Sequence, residues 1–126
     1  MILGIGIDTV EIARFQRFID EGNQALMQRL FTAVEQEYCS PRKQAAASYA
    51  ARFAAKEALV KALGTGLRNG LSWTEIEVRT TISGKPELHL SGRSRQIFEE
   101  HGARVSHLSL SHDGANAIAM VVLEEP

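Results

Sequence analysis

The sequence predicts an α+β protein in which a small, mainly antiparallel sheet packs against one long helix. Residues 42–63 are rich in alanine and carry apolar side chains at helical spacing, whereas residues 76–79 and 87–90 alternate apolar and polar side chains as strands do. These patterns are interleaved without the regular strand–helix–strand rhythm of a parallel sheet. A length of 126 residues is that of one domain, so we expect residues 1–126 to form a single domain.

The N-terminal third predicts one strand followed by short helices. Residues 2–7 are apolar apart from two glycines, which is typical of a short buried strand. A helix should follow from about Thr9, with its apolar side chains on one face. These are Ile12, Phe15 and Ile19. Residues 26–31 favour a further helical turn, and the T-x-x-E spacing of residues 32–35 predicts a capping box that begins another short helix.

The rest of the chain predicts the long helix and two pairs of strands. The helix should span about residues 42–63 and end at Gly64. Its main core stripe is expected at Tyr49, Phe53, Val60 and Leu63. A hairpin turning at residues 83–84 should follow, and then a short helix at 93–101. Strands at 105–111 and 117–123 should be joined by a turn at 112–114.

Composition excludes several classes of protein. Fourteen basic and 15 acidic residues give a net charge of −1, which argues against binding of nucleic acid or membranes through bulk positive charge. Cys39 is the only cysteine, so neither an intrachain disulfide nor a multi-cysteine zinc site is possible. The longest apolar run, residues 117–123, is far shorter than the ~18 residues that cross a bilayer. We therefore expect a soluble, cytoplasmic protein.

The long helix carries the strongest signal for chemistry. Helical geometry places Glu57 and Lys61 on one face with Ala50 and Ala54, so that a carboxylate and an ammonium would lie at the rim of a shallow hollow. The alternative is an ordinary surface ion pair at spacing i, i+4. Lys56 falls between apolar residues of the core stripe. It is either a lysine at the helix edge with its ammonium in solvent, or a cation directed at a bound phosphate.

Two other segments have functional and structural interpretations. The glycines of Gly64-Thr65-Gly66 would let backbone amides approach a phosphate, although a helix cap and turn explain them equally well. Asp8, at the expected junction of strand and helix, is either a helix cap or a metal ligand. Together with Glu57 it would offer the oxygen ligands that Mg²⁺ prefers.

Two surface features complete the candidates. Ser111-His112-Asp113 is unsuited to a catalytic triad because adjacent side chains on an extended chain point apart, and a turn explains it fully. Arg14, Arg17 and Phe18 should lie on the face of the first helix that points away from the core. This is either a solvated face or a docking surface for an acidic partner.

Three segments together resemble the small holo-acyl-carrier-protein synthases of the bacterial fatty-acid type, a branch of the 4′-phosphopantetheinyl transferases. They are GIGIDTVEI at 4–12, RFAAKEALVKALGTG at 52–66 and SHDGANAIAMVV at 111–122. SGKPEL at 83–88 is similar to the connecting hairpin of the family. The resemblance covers nearly the whole chain, with the motifs in the family's order and spacing, and is weakest at residues 21–47. It implies the fold of that family.

The resemblance also implies a reaction and a set of residue roles. The 4′-phosphopantetheine arm of coenzyme A would be moved to a serine of an apo acyl carrier protein, releasing adenosine 3′,5′-bisphosphate. Asp8 and Glu57 would hold Mg²⁺, and Lys61 would contact the phosphates and neutralise the leaving group. Residues implied to line the coenzyme A site are Lys56, Lys61, Gly64, Thr65, Gly66 and His112.

The resemblance further implies an assembly and a partner. Family members are homotrimers with active sites between subunits, so His112 would come from a neighbouring subunit. Arg14 and its helix would receive the acidic, helical carrier protein. Two other functions remain open from the residues: a non-catalytic module that binds coenzyme A or a nucleotide, and a purely structural oligomer in which Glu57 and Lys61 form an interface salt bridge.

Overall fold

The computed structural model describes residues 1–64 and 70–126, which form five strands, five α-helices and one short 3₁₀ turn. The strands are β1 (Ile2–Glu11), β2 (Ile76–Thr80), β3 (Pro86–Leu90), β4 (Val105–Asp113) and β5 (Asn116–Glu124). The helices are α1 (Ile12–Asp20), α2 (Gln24–Leu30), α3 (Ala33–Cys39), α4 (Ala45–Leu63) and α5 (Gly92–Glu100), and the 3₁₀ turn is Trp73–Glu75.

All strand pairing in the described residues is antiparallel. The strands β1, β5 and β4 form a three-stranded sheet in that order, and β2 and β3 form a separate hairpin. Helix α4 packs across one face of the three-stranded sheet. This arrangement confirms the predicted α+β class and the predicted sheet on a long helix.

Helix α4 forms the centre of the core. The stripe predicted from the sequence is confirmed, because Tyr49, Phe53, Val60 and Leu63 are all buried. Ala50 and Ala54 are also completely buried. The hollow predicted beside these two alanines is therefore covered by the rest of the protein. The helix begins at Ala45, three residues after the predicted start.

The backbones of β1 and α4 approach each other very closely. In β1, the residues at even positions face the helix. A Cβ atom added at Gly6 would overlap the carbonyl oxygen of Ala58, and one added at Gly4 would overlap the carbonyl oxygen of Ala62. Glycines in the strand and alanines in the helix thus let the two backbones touch. Asp8 is the next residue of β1 on this side of the strand. The contact therefore fixes which turns of α4 lie beside Asp8.

The first helix differs from its prediction in two ways. It begins at Ile12 and not near Thr9, because β1 continues to pair with β5 as far as Glu11. Its inward face contains Phe15 and Phe18, whereas Ile19 is 37% exposed. Phe18 is half-buried, with its ring 5.4 Å from that of Phe15 in an edge-to-face contact. The prediction that Phe18 lies on the outward face is therefore wrong.

The remaining elements match their predictions with shifted ends. The capping box is present, since the Thr32 hydroxyl accepts from the Glu35 amide and the Glu35 carboxylate accepts from the Thr32 amide. The strands β4 and β5 extend to Asp113 and Asn116, so that the turn between them is shorter than predicted. Glu77, expected on the solvent side of β2, is buried and accepts a hydrogen bond from Arg79.

The outer face of the three-stranded sheet carries exposed apolar side chains. Ile5 and Ile7 of β1 are each 57% exposed, and Met120, which pairs with Ile7, is 42% exposed. Within the described ranges, no helix combines the length and the apolar character needed to cross a membrane.

We predict that Gly6→Ala severely destabilises the protein, since the added methyl group would force β1 and α4 apart. Overpacking of this kind costs about 3 kcal/mol in the free energy of unfolding. Thr9→Ala is the matched control, because Thr9 lies on the exposed face of the same strand. It should stay within about 0.5 kcal/mol of the wild type. Urea denaturation checks both, and similar midpoints for the two variants would contradict the packing argument.

Candidate active site

Asp8, Glu57 and Lys61 meet where β1 crosses α4. The Lys61 ammonium donates to Oδ1 of Asp8 at 2.8 Å and to the carbonyl oxygen of Ile7 at 3.1 Å. Asp8 is held within β1, opposite Ala119 of β5. Its interpretation as a helix cap is therefore wrong, because Glu11 occupies the cap position of α1.

The two carboxylates are close enough to affect each other's ionisation. Burial raises the pKa of Glu57, and the negative charge of Asp8 and a hydrogen bond between the two carboxyl groups raise it further. The positive charges of Lys61 and Arg14 oppose this rise only in part. Ionisation of Glu57 is therefore disfavoured in this site.

Lys61 joins the strand to the helix. Its hydrogen bond to Asp8 and the charge of that carboxylate raise the pKa of the Lys61 ammonium. In the described part of the chain, Lys61 forms its ion pair with Asp8. The alternative of a surface ion pair between Lys61 and Glu57, four positions apart in the helix, is therefore not found. More than half of the Lys61 side chain is exposed, whereas Asp8 is mostly covered. A ligand can therefore reach Lys61 directly.

Lys56, the neighbour of Glu57, occupies a different environment. Its side chain is fully buried, and its ammonium donates to Oε1 of Glu35, to the carbonyl oxygen of Trp73 and to that of Ile76. Burial lowers the pKa of Lys56, which the charge of Glu35 opposes. All three ammonium protons have protein acceptors. The predictions of contact with coenzyme A and of an ammonium in solvent are both wrong for this residue.

The glycine-rich segment after α4 is described only at its ends. Gly64 ends the helix in the left-handed conformation, with φ of 73°, and its amide donates to the carbonyl oxygens of Val60 and Lys61. Thr65 and Gly66, both predicted to line the coenzyme A site, lie outside the described residues. Their predicted role stays a prediction.

His112 lies at a second location. It is exposed on β4 and lines a cavity of about 440 Å³ whose walls include none of Asp8, Glu57 and Lys61. The other walls come from the chain before α4, from the first turns of α4 and from β4. Within one subunit, the structure therefore brings together Asp8, Glu57 and Lys61, with His112 at a separate cavity.

The cavity beside His112 is strongly cationic, which the sequence analysis did not predict. Arg42, Lys43 and Arg52 all line it. Arg52 is only 4% exposed, and its Nη atoms bond to Ser48 and Thr80. Among the residues that the structure describes, its Nε has no hydrogen-bond partner. The sequence did contain an indication of this charge. No acidic residue lies three or four positions from Arg52 in the helix, so no neighbour on the helix neutralises the Arg52 guanidinium.

The arginines of this cavity stack on one aromatic ring. The guanidinium carbons of Arg42 and Arg52 lie 3.8 Å and 4.1 Å from the centre of the Tyr38 ring. Stacking on an aromatic ring fixes a guanidinium group without neutralising its charge. The cavity is therefore suited to an anionic ligand.

Arg14 and Arg17 are exposed on α1, as the sequence predicts. The Arg14 guanidinium carbon lies 5.9 Å and 5.8 Å from the ring centres of Phe15 and Phe53. Its positive charge opposes the rise in the pKa of Glu57, which places that charge at the edge of the carboxylate site. Phe18 contributes to a neighbouring cavity of about 290 Å³ between α1, α2 and α4.

Comparison with known protein families identifies the superfamily to which this fold and site belong. Residues 4–120 match the model of the 4′-phosphopantetheinyl transferase superfamily. A holo-[acyl-carrier-protein] synthase from Trichlorobacter lovleyi is 70% identical over 126 residues, which is the full length of both chains.

Solved structures agree with this match. The crystal structure of a holo-[acyl-carrier-protein] synthase from Neisseria meningitidis has a TM-score of 0.88 at 35% identity, covering 99% of this chain and 100% of that one. One from Bacillus anthracis, solved in complex with CoA (3′,5′-ADP), has a TM-score of 0.81 at 38% identity, covering 100% and 99%. The chain therefore belongs to the holo-[acyl-carrier-protein] synthase family of enzymes within that superfamily.

We predict that Glu57→Gln stabilises the metal-free protein. A carboxyl whose pKa is raised by folding binds its proton more tightly in the native state, so stability falls as pH rises from the ordinary carboxyl range through the raised pKa. Glutamine does not ionise, so the substitution removes this loss of stability at higher pH and should raise Tm at pH 7 by about 2–4 °C.

The same variant tests the affinity of the site for a cation. Mg²⁺ should raise the Tm of the wild type and leave that of Glu57→Gln nearly unchanged. Thermal unfolding with EDTA or with Mg²⁺ measures both effects. Equal stabilisation of the two proteins by Mg²⁺ would refute a cation site at Glu57.

Proposed function

We propose that this protein transfers the 4′-phosphopantetheine group of coenzyme A to a serine of an apo acyl carrier protein, releasing adenosine 3′,5′-bisphosphate in a Mg²⁺-dependent reaction. The convergence of Asp8, Glu57 and Lys61 carries the proposal. Family membership supports the reaction class, and the related protein solved with coenzyme A supports the donor.

The carboxylate pair fits Mg²⁺ on the chemistry of its donors. Mg²⁺ commonly takes one or two protein carboxylates and fills its other positions with water and substrate phosphate oxygens. Asp8 and Glu57 are the two side chains that would hold the ion. Among the described residues, no cluster of three or more metal-binding side chains is present. Burial and the negative charge of Asp8 raise the pKa of Glu57, and a cation bound there would favour the ionised carboxylate. Bound there, Mg²⁺ would supply electrostatic stabilisation of the diphosphate.

The residues of the site account for the movement of charge and protons. The serine oxygen forms a bond to the phosphorus on the pantetheine side of the diphosphate, and the bond from that phosphorus to the bridging oxygen breaks. Negative charge grows on the departing oxygen, which the exposed Lys61 ammonium is placed to neutralise. Glu57, the carboxylate beside the reacting groups, would accept the serine proton directly or through a water molecule.

We also propose that the functional unit is a homotrimer with active sites between subunits. The exposed apolar side chains on the outer face of the sheet support association, since such patches are usually covered in an assembly. A second subunit could then bring His112 and its cationic cavity to the carboxylate site of the first. Arg42, Lys43 and Arg52 would bind the phosphates of coenzyme A there.

We propose that the carrier protein docks on α1. The exposed Arg14 and Arg17 lie one helical turn apart, and Arg14 adjoins Glu57. An acidic helix bound to these arginines would bring its serine towards the carboxylates, and electrostatic complementarity would speed the encounter. The near-zero net charge of the chain is no obstacle, because docking needs only this local patch. The single cysteine fits the reducing environment of the cytoplasm, where we place the reaction.

The transfer reaction is tested by incubating the protein with coenzyme A, Mg²⁺ and an apo carrier protein and then weighing the carrier. We expect a gain of about 340 Da, the mass of the transferred group, which EDTA abolishes. Asp8→Ala should lower the rate about 10³-fold without unfolding the protein. Binding of coenzyme A without any gain in carrier mass would favour the non-catalytic module instead.

The interfacial site is tested by complementation between subunits. Asp8→Ala and His112→Ala should each be nearly inactive alone. Co-expressed at equal levels, they should recover about a quarter of the wild-type activity, because random assembly pairs an intact Asp8 with an intact neighbouring His112 at about that frequency. Recovery should be absent if both residues act within one subunit.

A further inference from the structure

Two guanidinium groups stack on the ring of Tyr38, a half-buried residue of α3. The guanidinium carbon of Arg42, in the chain before α4, lies 3.8 Å from the centre of this ring. That of Arg52, on α4, lies 4.1 Å from the same centre. One aromatic ring therefore joins the exposed Arg42 to the buried Arg52.

The two arginines differ in how they are held. The Nη atoms of Arg52 donate to the hydroxyls of Ser48 and Thr80 at 3.0 Å and 2.9 Å, so this guanidinium is fixed by bonds as well as by the ring. The guanidinium of Arg42 has no hydrogen bond or ion pair with any residue that the structure describes. Its place in the fold therefore depends on stacking against Tyr38.

The stacked pair brings two like charges close together. The two guanidinium carbons are no more than about 8 Å apart, since each lies about 4 Å from the same ring centre. Like charges at this distance repel each other. In the described part of the chain, neither arginine forms an ion pair with a carboxylate. No acidic side chain described in the structure therefore relieves this repulsion by direct pairing.

A role in stability alone does not explain this arrangement. One arginine stacked on Tyr38 would already gain the attraction between a cation and an aromatic face. A second guanidinium on the same ring adds repulsion between the two cations. An anion bound to both arginines would offset that repulsion, and guanidinium groups are well suited to bind phosphate oxygens.

Both arginines line the cationic cavity beside His112, whereas Tyr38 does not. None of the residues that line this cavity is acidic. The buried Nε of Arg52, which has no acceptor among the described residues, leaves a donor for a ligand. An exposed arginine loses side-chain freedom when it binds a ligand, and stacking beforehand removes part of that cost. Tyr38 can therefore act on a ligand in the cavity through the two arginines.

We propose that Tyr38 is a positioning residue, which holds the guanidinium of Arg42 beside that of Arg52 so that the cavity is ready to bind a phosphate group. The inference rests on the proposed function, because it takes coenzyme A as the phosphate-bearing ligand. The aromatic ring carries the role, since the Tyr38 hydroxyl has no hydrogen bond to any residue that the structure describes.

Three variants separate positioning from stability. Tyr38→Leu removes the aromatic face and keeps an apolar side chain at the half-buried position. Tyr38→Phe keeps the aromatic face and removes only the hydroxyl. Ile97→Val is the control for stability, because it shortens a buried side chain of α5, a helix that contributes no residue to the walls of the cavity.

Binding of coenzyme A is measured by titration calorimetry without a carrier protein. Tyr38→Leu should raise the Kd about tenfold, whereas Tyr38→Phe and Ile97→Val should stay within about twofold of the wild type. In the transfer assay, Tyr38→Leu should raise the KM for coenzyme A to a similar extent, with kcat changed less than about threefold. The same Kd for Tyr38→Leu and Tyr38→Phe, or a Kd that follows Tm across the three variants, would overturn the proposal.

The calorimetry also distinguishes a failure of this inference from a failure of the proposed function. Binding of coenzyme A to the wild type without any gain in carrier mass would overturn the transfer and leave the role of Tyr38 to be decided by the Kd values. Transfer by the wild type together with unchanged binding by Tyr38→Leu would overturn the positioning role alone. Absence of coenzyme A binding to the wild type would overturn both.

A measurement on the unmodified protein covers the case in which Tyr38→Leu does not fold. An aromatic ring shifts the NMR resonances of protons that lie over its face to lower frequency. The side-chain protons of Arg42 should show this shift in the free protein and keep it when coenzyme A is bound, because the binding-competent arrangement already exists without ligand. Absence of the shift in the free protein, or its loss on binding, would overturn the positioning role.

Discussion

The close contact between β1 and α4 is the constraint on which the rest of the structure depends. Gly4 and Gly6 leave no side chain between the strand and the backbone of Ala58 and Ala62. A strand this close to a helix has little freedom to slide or rotate along it. The side chain that follows in the strand, Asp8, is therefore held beside the helix turns that carry the other two residues of the site.

The electrostatic character of the site follows from that contact. Two carboxyl groups are brought together, and burial of Glu57 beside the charge of Asp8 raises the pKa of Glu57. Carboxyl groups perturbed in this way are common at functional sites. The separate cavity beside His112 is cationic. A ligand with a diphosphate and a further phosphate could bind at both places if two subunits bring them together.

The sequence predicted the elements whose signals are local. The apolar stripe of α4, the capping box of α3 and the turn of the β2–β3 hairpin each depend on residues within a few positions of one another, and all three are confirmed. The start of α1 was wrong because pairing with β5, more than a hundred residues away, extends β1 through the segment that resembled a helix. Long-range pairing of this kind leaves no mark in the local pattern.

The candidate site was predicted only in part, because some of its contacts also join residues that are distant in the sequence. Helical geometry could place Glu57 and Lys61 on one face, and the resemblance to a known family linked them to Asp8. Helical spacing put Lys56 on the core stripe, but no local pattern could show that its ammonium is buried against Glu35. The charge of a lysine made the surface the default expectation. Its carboxylate partner lies 21 positions earlier in the chain, in the region where the resemblance was weakest.

The claim that Asp8 and Glu57 share one divalent ion is tested most directly by X-ray diffraction from crystals grown with coenzyme A and Mn²⁺, an anomalous scatterer used here as a probe for Mg²⁺. We expect one anomalous peak within bonding distance of oxygens from both carboxylates and of a coenzyme A phosphate, about 2.0–2.2 Å from each. Coenzyme A bound with no such peak, or with the ion held elsewhere and Lys61 alone on Asp8, would contradict it.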